Sequence, residues 1–237
     1  MSCCCCCCGG KDGPVNALLR LYCRSRCNGK LVAAALSFHP PNPPFYQLIN
    51  HSTTDPSTPS TETQSNSKNE PPTSTTSIQH SHHSIVFDEC IGMADVLPTM
   101  YQLPCLSTFS KTQSKTKNPT KMTVAIYARP QPKYVLLYSH GNATDIGAMH
   151  AHLVSLSAVC NLTVVCYDYN GYGASTGIPS EKSSYLNIET VYRFLLEQKI
   201  VTNPADELIL YGESIGSGPA VWLSTKRSVA GLILQGK

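Results

Sequence analysis

The stretch LILYGESIGSGPAVWL, from Leu208 to Leu223, decides how this chain is expected to fold. An apolar run of strand length gives way at Gly212 to a segment of helical character. Gly212, Ser214 and Gly216 form the pattern G-x-S-x-G, which at a strand–turn–helix junction presents a serine hydroxyl at the carboxyl edge of a sheet. Glycine suits the flanks because neighbouring backbone approaches too closely for a Cβ. The alternative is that Ser214 only caps the following helix.

The segments around this junction alternate between strand and helix patterns. KYVLLYSH and LTVVCYDY are nearly continuous apolar runs, as strands covered on both faces require. LPCLSTFSK and KMTVAIYAR are predicted to pair around the polar turn TQSKTKNPT. ELILYG and VAGLILQG are the remaining strands, and helices are predicted over 146–160 (cap Thr144 or Asp145), over 185–195 (cap Ser180) and from Ser214 to about Lys226. This alternation predicts an α/β fold with a doubly wound, mostly parallel sheet.

The chain divides into three predicted regions. Residues 1–50 form a Cys-rich segment expected to target membranes, and 85–237 form the α/β domain. Residues 51–84 are rich in Ser, Thr and Pro, hold one aliphatic side chain, Ile78, and are predicted to be a disordered linker. The HSHH run at 80–83 lacks a second ligand cluster, so we interpret it as polar linker rather than metal site. No metal and no organic cofactor is predicted.

Composition excludes several function classes. The net charge is +3 and the pI about 8.2, with Lys and Arg scattered along the chain, so nucleic acid is not an expected partner. No apolar run approaches the roughly 20 residues of a membrane-spanning helix. Six of the twelve cysteines are contiguous and the others are irregularly spaced, which favours reduced thiols in the cytosol over a disulfide framework.

A second segment supports acyl-transfer chemistry at Ser214. YSHGNATD follows another predicted parallel strand and opens a helix, which brings backbone N–H groups to the same sheet edge. The developing oxyanion would be held by the amide of Ile215 and by one amide of this loop, that of Asn142 or Ala143. His140 is interpreted as a buttress of the loop, with a role as catalytic base as the alternative.

Asp168, at the end of LTVVCYDY, is not expected to be the triad acid. In this fold the acid and the histidine follow the serine in the chain, whereas Asp168 precedes it. We expect Asp168 to order its glycine-rich loop through Asx-type hydrogen bonds.

Three blocks of this chain resemble the alpha/beta-hydrolase domain-containing 17 family: LLYSHGNATDIGAM, YDYNGYGASTGIPSEKSSY and LILYGESIGSGPAV. The opening LYCRSRCNGKLVAAALSFHPPNPPFYQL is similar to the start of that family. The resemblance implies an alpha/beta-hydrolase fold and a membrane-tethered serine hydrolase that removes long-chain acyl groups from palmitoylated proteins, at the cytoplasmic face of the plasma membrane and endosomes. Relative to the family, residues 51–84 look like an insertion, and Glu213 stands where glutamine is usual.

The triad acid and histidine are expected to follow later strands, and the chain has only 237 residues. We therefore expect a domain that is incomplete at its C-terminus, with an exposed last strand and little activity, because losing the histidine alone costs about 10⁶ in kcat. A lipid or small-ester hydrolase and a non-catalytic, lipid-anchored product are the alternatives.

The opening MSCCCCCCGGK is interpreted as a site of S-acylation. Two long acyl chains suffice for stable membrane anchoring, and nearby Lys and Arg add attraction to anionic lipid. A soft-metal cluster and low-complexity drift are the alternatives, and Ser2 excludes N-myristoylation. The predicted partners are the membrane surface and S-acylated substrate proteins. The candidate acylation residues are Cys3, Cys4, Cys5, Cys6, Cys7, Cys8, Cys23 and Cys27.

Overall fold

Eight strands form one sheet in the order β1-β2-β3-β4-β6-β5-β7-β8. The computed structural model describes residues 21, 23, 26, 28–49, 81–87, 97–105 and 120–236, with only the backbone described at 49 and 81–87. The strands are β1 (Tyr46–Ile49), β2 (Ser81–Phe87), β3 (Thr99–Pro104), β4 (Lys121–Tyr127), β5 (Val135–Ser139), β6 (Thr163–Tyr167), β7 (Leu208–Glu213) and β8 (Gly231–Gln235). The helices are α1 (Gly29–Ser37), α2 (Ile146–Cys160), α3 (Glu181–Glu197), α4 (Pro204–Glu207) and α5 (Ser217–Ser224).

The strands β5 to β8 run parallel. β5 lies between β6 and β7, and β7 pairs with β8. β1 to β4 extend the sheet in antiparallel pairs, and β4 joins β6 in the same way. The predicted α/β class is confirmed, and the G-x-S-x-G stretch begins at the end of β7, in the parallel half of the sheet.

Alternate side chains of the central strands contribute to two apolar clusters, one on each face of the sheet. Leu137 of β5 joins a cluster with side chains of α3 and α5, whereas its neighbour Leu136 joins a cluster with side chains of α2. Helices therefore cover both faces. That coverage is why these strands are nearly continuous apolar runs in the sequence.

The predicted helix starts are confirmed at two positions. Asp145 caps α2, its Oδ1 accepting from the Ala148 amide at 2.9 Å, so the cap is Asp145 and not Thr144. Ser180 caps α3 in a reciprocal pair with Ser183. Each side chain satisfies an amide that the first helical turn leaves unpaired.

The predicted start of β3 was wrong, although its pairing with β4 is confirmed. β3 begins at Thr99 and pairs with β4 from Thr99 opposite Ile126 to Pro104 opposite Lys121. This register buries Met100 and Leu103, which explains the earlier start. The predicted turn up to 119 lies outside the described residues.

The predicted region boundaries at 50 and 84 were also wrong. β1 pairs with β2, with Tyr46 opposite Phe87, so the sheet begins inside the region assigned to membrane targeting. Residues 81–84, assigned to the linker, lie in β2. Backbone hydrogen bonds to β1 and β3 define this strand, which carries no apolar alternation at 81–84 for sequence analysis to detect. Residues 51–80 lie outside the described part.

The predicted exposure of the last strand is confirmed. In β8, Leu232, Ile233 and Leu234 are 39%, 46% and 49% exposed, and β8 stands at the end of the strand order. None of the helices in the described part of the chain is long and apolar enough to cross a bilayer.

Candidate active site

Ser214 occupies a strained turn directly after β7. A 3-10 turn, Ser214–Gly216, connects β7 to α5, so regular α-helix begins three residues later than predicted. The φ angle of Ser214 is +52°, a left-handed conformation that costs a non-glycine residue roughly 1–2 kcal/mol. Its side chain is exposed at the carboxyl edge of the parallel strands. The predicted strand–turn–helix geometry is present.

The two flanking glycines are required by close backbone contacts. A Cβ at Gly212 would lie 2.7 Å from the Gly216 carbonyl oxygen. A Cβ at Gly216 would lie 2.1 Å from the Ser139 carbonyl oxygen, at the end of the neighbouring strand β5. The G-x-S-x-G pattern therefore reflects a tight turn pressed against the end of β5.

The loop after β5 lies beside this turn. Ser139 is the register partner of Gly212, so the two strands end together. A Cβ at Gly141 would stand 3.4 Å from Glu213 Cδ, which places the loop in contact with the residue before Ser214. The Ala143 amide donates to Asn142 Oδ1 at 3.1 Å, which favours the Asn142 amide over the Ala143 amide as the second oxyanion donor. The roles of Ser214, Ile215 and Asn142 stay predictions.

The side chain of Asn142 binds the N-terminal segment, a function that sequence analysis missed. Its Nδ2 donates to the Ser37 carbonyl oxygen at 2.8 Å. Its Oδ1 accepts from the His39 amide at 2.9 Å and from the Tyr172 hydroxyl at 2.7 Å. Asn142 thus connects the end of α1 to the loop that faces Ser214. No sequence signal indicated these partners, because Ser37 and His39 are more than 100 residues away.

His140 is fully buried and supports the loop. Its Nδ1 lies 2.8 Å from the Gly141 carbonyl oxygen, and its Nε2 lies 3.3 Å from Asp168 Oδ1, off the line of a hydrogen bond. The Tyr169 hydroxyl donates to the His140 carbonyl oxygen at 2.7 Å. Because the ring is enclosed by these groups while Ser214 is exposed, the geometry favours the buttress interpretation over the catalytic base.

Asp168 is a buried junction between three parts of the chain. Its Oδ1 accepts from the Ile146 amide at 3.0 Å, at the start of α2, and its Oδ2 accepts from the Tyr46 hydroxyl of β1. That hydroxyl also accepts from the Ala174 amide, 3.1 Å away. The expected Asx-type bonds were wrong: the Asp168 carboxylate reaches the glycine-rich loop through the Tyr46 hydroxyl. A left-handed turn at Gly173 lies directly against that carboxylate.

Burial changes the titration of groups next to this junction. Burial and the charge of Asp168 raise the pKa of the Tyr46 hydroxyl, so it stays a donor. Burial and, to a smaller extent, the charge of Asp168 also raise the pKa of the Asp145 carboxyl. Asp145 Oδ2 accepts a hydrogen bond from the Phe45 amide at 2.8 Å. Two carboxylates thus hold β1 against the start of α2.

Glu213 has a specific partner in the sheet. Its Oε2 accepts from the Tyr138 hydroxyl at 2.9 Å, and the Tyr138 ring stacks on Tyr211 with centroids 4.6 Å apart. Burial and this carboxylate raise the pKa of Tyr138. The residue that departs from the family pattern is therefore integrated into β5 and β7.

Of the predicted acylation residues, only Cys23 lies in the described part of the chain. Its side chain is partly exposed. The others lie outside it: Cys3, Cys4, Cys5, Cys6, Cys7, Cys8 and Cys27.

Comparisons with known proteins find relatives that are named alpha/beta hydrolases. The chain is 41% identical over 123 residues to alpha/beta hydrolase domain-containing protein aho-3 of Caenorhabditis elegans, which covers 52% of this chain and 36% of that protein. It is 42% identical over 105 residues to alpha/beta hydrolase domain-containing protein 17B of Homo sapiens, covering 44% and 36%. The chain thus spans about a third of the length of these relatives.

One solved structure that is similar to this chain is an alpha/beta serine hydrolase without a lid from Xanthomonas campestris. The identity is 21% and the TM-score 0.40, covering 48% of this chain and 55% of that one. No protein-family model matches the chain. The two relatives are named alpha/beta hydrolase domain-containing proteins, and the sheet and the turn at Ser214 have the predicted form. The resemblance to the alpha/beta-hydrolase domain-containing 17 family is confirmed for the part of the chain that these relatives match.

Proposed function

We propose that this chain carries the nucleophile and oxyanion loop of a serine hydrolase that cleaves long-chain acyl thioesters from S-acylated proteins. The observation that supports it best is the exposed Ser214 at φ +52°, held between two glycines that admit no side chain. Strain of this kind persists where the surroundings enforce it, and it concentrates at active sites.

In the proposed reaction, Ser214 Oγ attacks the thioester carbonyl. An O–C bond forms, the C–S bond breaks, and the serine proton leaves with the cysteine thiol of the substrate protein. The amides of Ile215 and Asn142 would hold the oxyanion, and losing one such donor typically costs about 10²–10³ in rate. Water then attacks the acyl-serine ester, releasing a fatty acid and restoring the hydroxyl.

A base that accepts the serine proton is not assigned to any of the described residues. His140, enclosed beside Asp168, does not suit the role. We therefore propose slow turnover for this chain by itself, with the full rate dependent on a histidine and an acid positioned by later strands of the fold.

The family resemblance supports a thioester as the proposed substrate. The cysteine-rich opening supports the membrane surface as the proposed location. Acylation of Cys3, Cys4, Cys5, Cys6, Cys7, Cys8, Cys23 and Cys27 would hold the chain at the cytoplasmic face of the plasma membrane and endosomes, beside substrates anchored in the same way. The partly exposed Cys23 and the exposed Arg26 are compatible with that location.

Covalent labelling of the folded chain by a fluorophosphonate probe tests the nucleophile. We expect labelling of the wild type, loss of labelling in Ser214→Ala, and retention in Ser224→Ala, which removes an exposed hydroxyl at the end of α5. Equal labelling of Ser214→Ala, or none of the folded wild type, would contradict the proposal and favour a non-catalytic product.

Substrate preference requires a second measurement. Single-turnover acylation by a palmitoyl-thioester peptide should be faster than acylation by a short oxygen ester, and should disappear in Ser214→Ala. A preference for the short ester would replace the thioesterase proposal with a small-ester hydrolase.

A further inference from the structure

Helix α1 is apolar and lies on the surface. Its sequence is GKLVAAALS, and none of its residues is buried. Leu31 and Leu36 are 40% and 52% exposed, and because they are five residues apart they point to different sides of the helix. A helix that is apolar all round is normally covered by protein or by lipid, so α1 exposes a surface that water solvates poorly.

A groove of about 670 Å³ lies between α1 and the segment 178–182 that leads into α3. Apolar side chains from both walls line it, among them Leu31, Phe38, Ile178 and Pro179. Ile178 is 67% exposed. The apolar surface of α1 therefore continues onto a second segment of the chain.

Positive charge borders this apolar surface. Lys30 and Lys182 line the groove, and the exposed Arg26 precedes α1. The one carboxylate of the groove lining, Glu181, accepts a hydrogen bond from Tyr185 at 2.7 Å. Apolar side chains bordered by lysine and arginine match the acyl region and the anionic headgroups of a bilayer surface.

We infer that α1 and the segment 178–182 form a bilayer-docking surface that acts without covalent lipid. Leu31, Leu36 and Ile178 would enter the acyl boundary, with Lys30 and Lys182 at the headgroups. A protein groove covers one face of a bound helix, whereas α1 exposes apolar side chains on more than one side. Lipid satisfies that geometry better.

This surface is connected to the candidate active site. Asn142 holds both Ser37 and His39 at the end of α1, and the same residue lies in the loop beside Ser214. Docking through α1 would bring the carboxyl edge of the sheet close to the membrane, where acylated proteins reside. The inference does not require thioesterase activity, so labelling of Ser214 and vesicle binding can fail independently.

Vesicle co-sedimentation tests the inference with the full chain in which the eight candidate acylation cysteines are replaced by serine. We expect binding to phosphatidylcholine vesicles, strengthened by phosphatidylserine. Leu31→Gln with Leu36→Gln should lower the partition coefficient by about tenfold or more. Lys30→Gln with Lys182→Gln should weaken binding by about fivefold per lysine, only when phosphatidylserine is present.

The matched control is Val159→Gln, which removes an apolar side chain that is 80% exposed on α2, and it should bind as the parent does. Circular dichroism melting verifies that each variant is folded. The inference is overturned if the folded parent binds neither vesicle type. It is also overturned if Val159→Gln loses as much binding as the variant with Leu31→Gln and Leu36→Gln. Sedimentation as a dimer that the Leu31 and Leu36 substitutions dissociate would instead assign the surface to a second copy of the chain.

Discussion

The Tyr46 hydroxyl donates to Asp168 Oδ2, joining β1 to the residue that follows β6. Both side chains are buried, and 122 residues separate them. The segment before the predicted linker is therefore part of the folded domain.

Replacing Tyr46 by Phe should destabilise the domain by about 2–3 kcal/mol. The change leaves a buried carboxylate oxygen and the Ala174 amide without their partner, and unmade buried hydrogen bonds are costly. Urea unfolding measures the effect. Tyr185→Phe, which removes an exposed hydroxyl, should change stability by less than about 0.5 kcal/mol, and equal effects of the two substitutions would refute the structural role of Tyr46.

Replacing Gly216 by Ala should cost about 3 kcal/mol or more, because the new Cβ would overlap the Ser139 carbonyl oxygen. Gly218 offers a matched comparison within α5, since nothing lies within 4 Å of a Cβ built there. Gly218→Ala should be neutral or stabilise by up to about 1 kcal/mol. Denaturation midpoints of the two variants separate the effects. If Gly216→Ala loses little stability, the end of β5 and the turn at Ser214 must lie further apart than the structure shows.

Glu189 on α3 should give the domain a pH-dependent stability. Its buried carboxylate accepts from Arg227 Nη2 at 2.6 Å and from Arg193 Nε at 2.8 Å. Burial raises the pKa of Glu189, but the two guanidinium groups outweigh burial and hold it below its usual value. Because the pKa of Glu189 is lower in the folded state, its carboxylate stabilises the fold at pH values above the unfolded-state pKa, near 4.5. That contribution disappears as the pH falls through the folded-state pKa.

Glu189→Gln should therefore lose about 1–3 kcal/mol at neutral pH, with the difference from wild type shrinking below about pH 4.5. The effect is modest because both arginines are partly exposed, so solvent screens the ion pairs. Urea unfolding at several pH values measures it. Glu197→Gln, at an exposed position of the same helix, should show no such pH dependence. A constant difference across pH would contradict the assignment.

Asn142→Asp should loosen α1 while leaving the sheet intact. A carboxylate cannot donate to the Ser37 carbonyl oxygen, although it still accepts from His39 and Tyr172. If the free energy of local opening of this segment falls by about 1.4 kcal/mol, proteolysis at 38–45 should rise about tenfold, provided that opening and closing are fast relative to cleavage. Limited proteolysis followed by mass spectrometry measures the rate, with Asn161→Asp at the end of α2 as control. Unchanged cleavage would show that α1 is held by other contacts.

The parts of the fold that sequence analysis predicted are those with strong local signals. β5 and β6 are apolar runs because helices cover both their faces, and Ser180 precedes its helix by one residue. Glycines bracket Ser214 because no other residue fits, which makes the turn readable from the sequence.

The parts that it missed depend on distant partners. β2 begins with a polar run whose place is fixed by backbone bonds to β1 and β3, so side-chain periodicity carries little information there. Asn142 binds Ser37 and Asp168 binds Tyr46, and each of these partners lies more than 100 residues earlier in the chain. A single sequence offers no means of pairing them.

Under the proposed function, the left-handed backbone of Ser214 makes this position a trade-off between function and stability. Ser214→Gly should unfold at a higher denaturant concentration than Ser214→Ala, since glycine adopts φ +52° without the penalty of roughly 1–2 kcal/mol that a Cβ incurs. A chain selected for robustness alone would favour glycine here. With Ser214 as the proposed nucleophile, the serine would mark where a chemical demand on this domain outweighed thermodynamic preference.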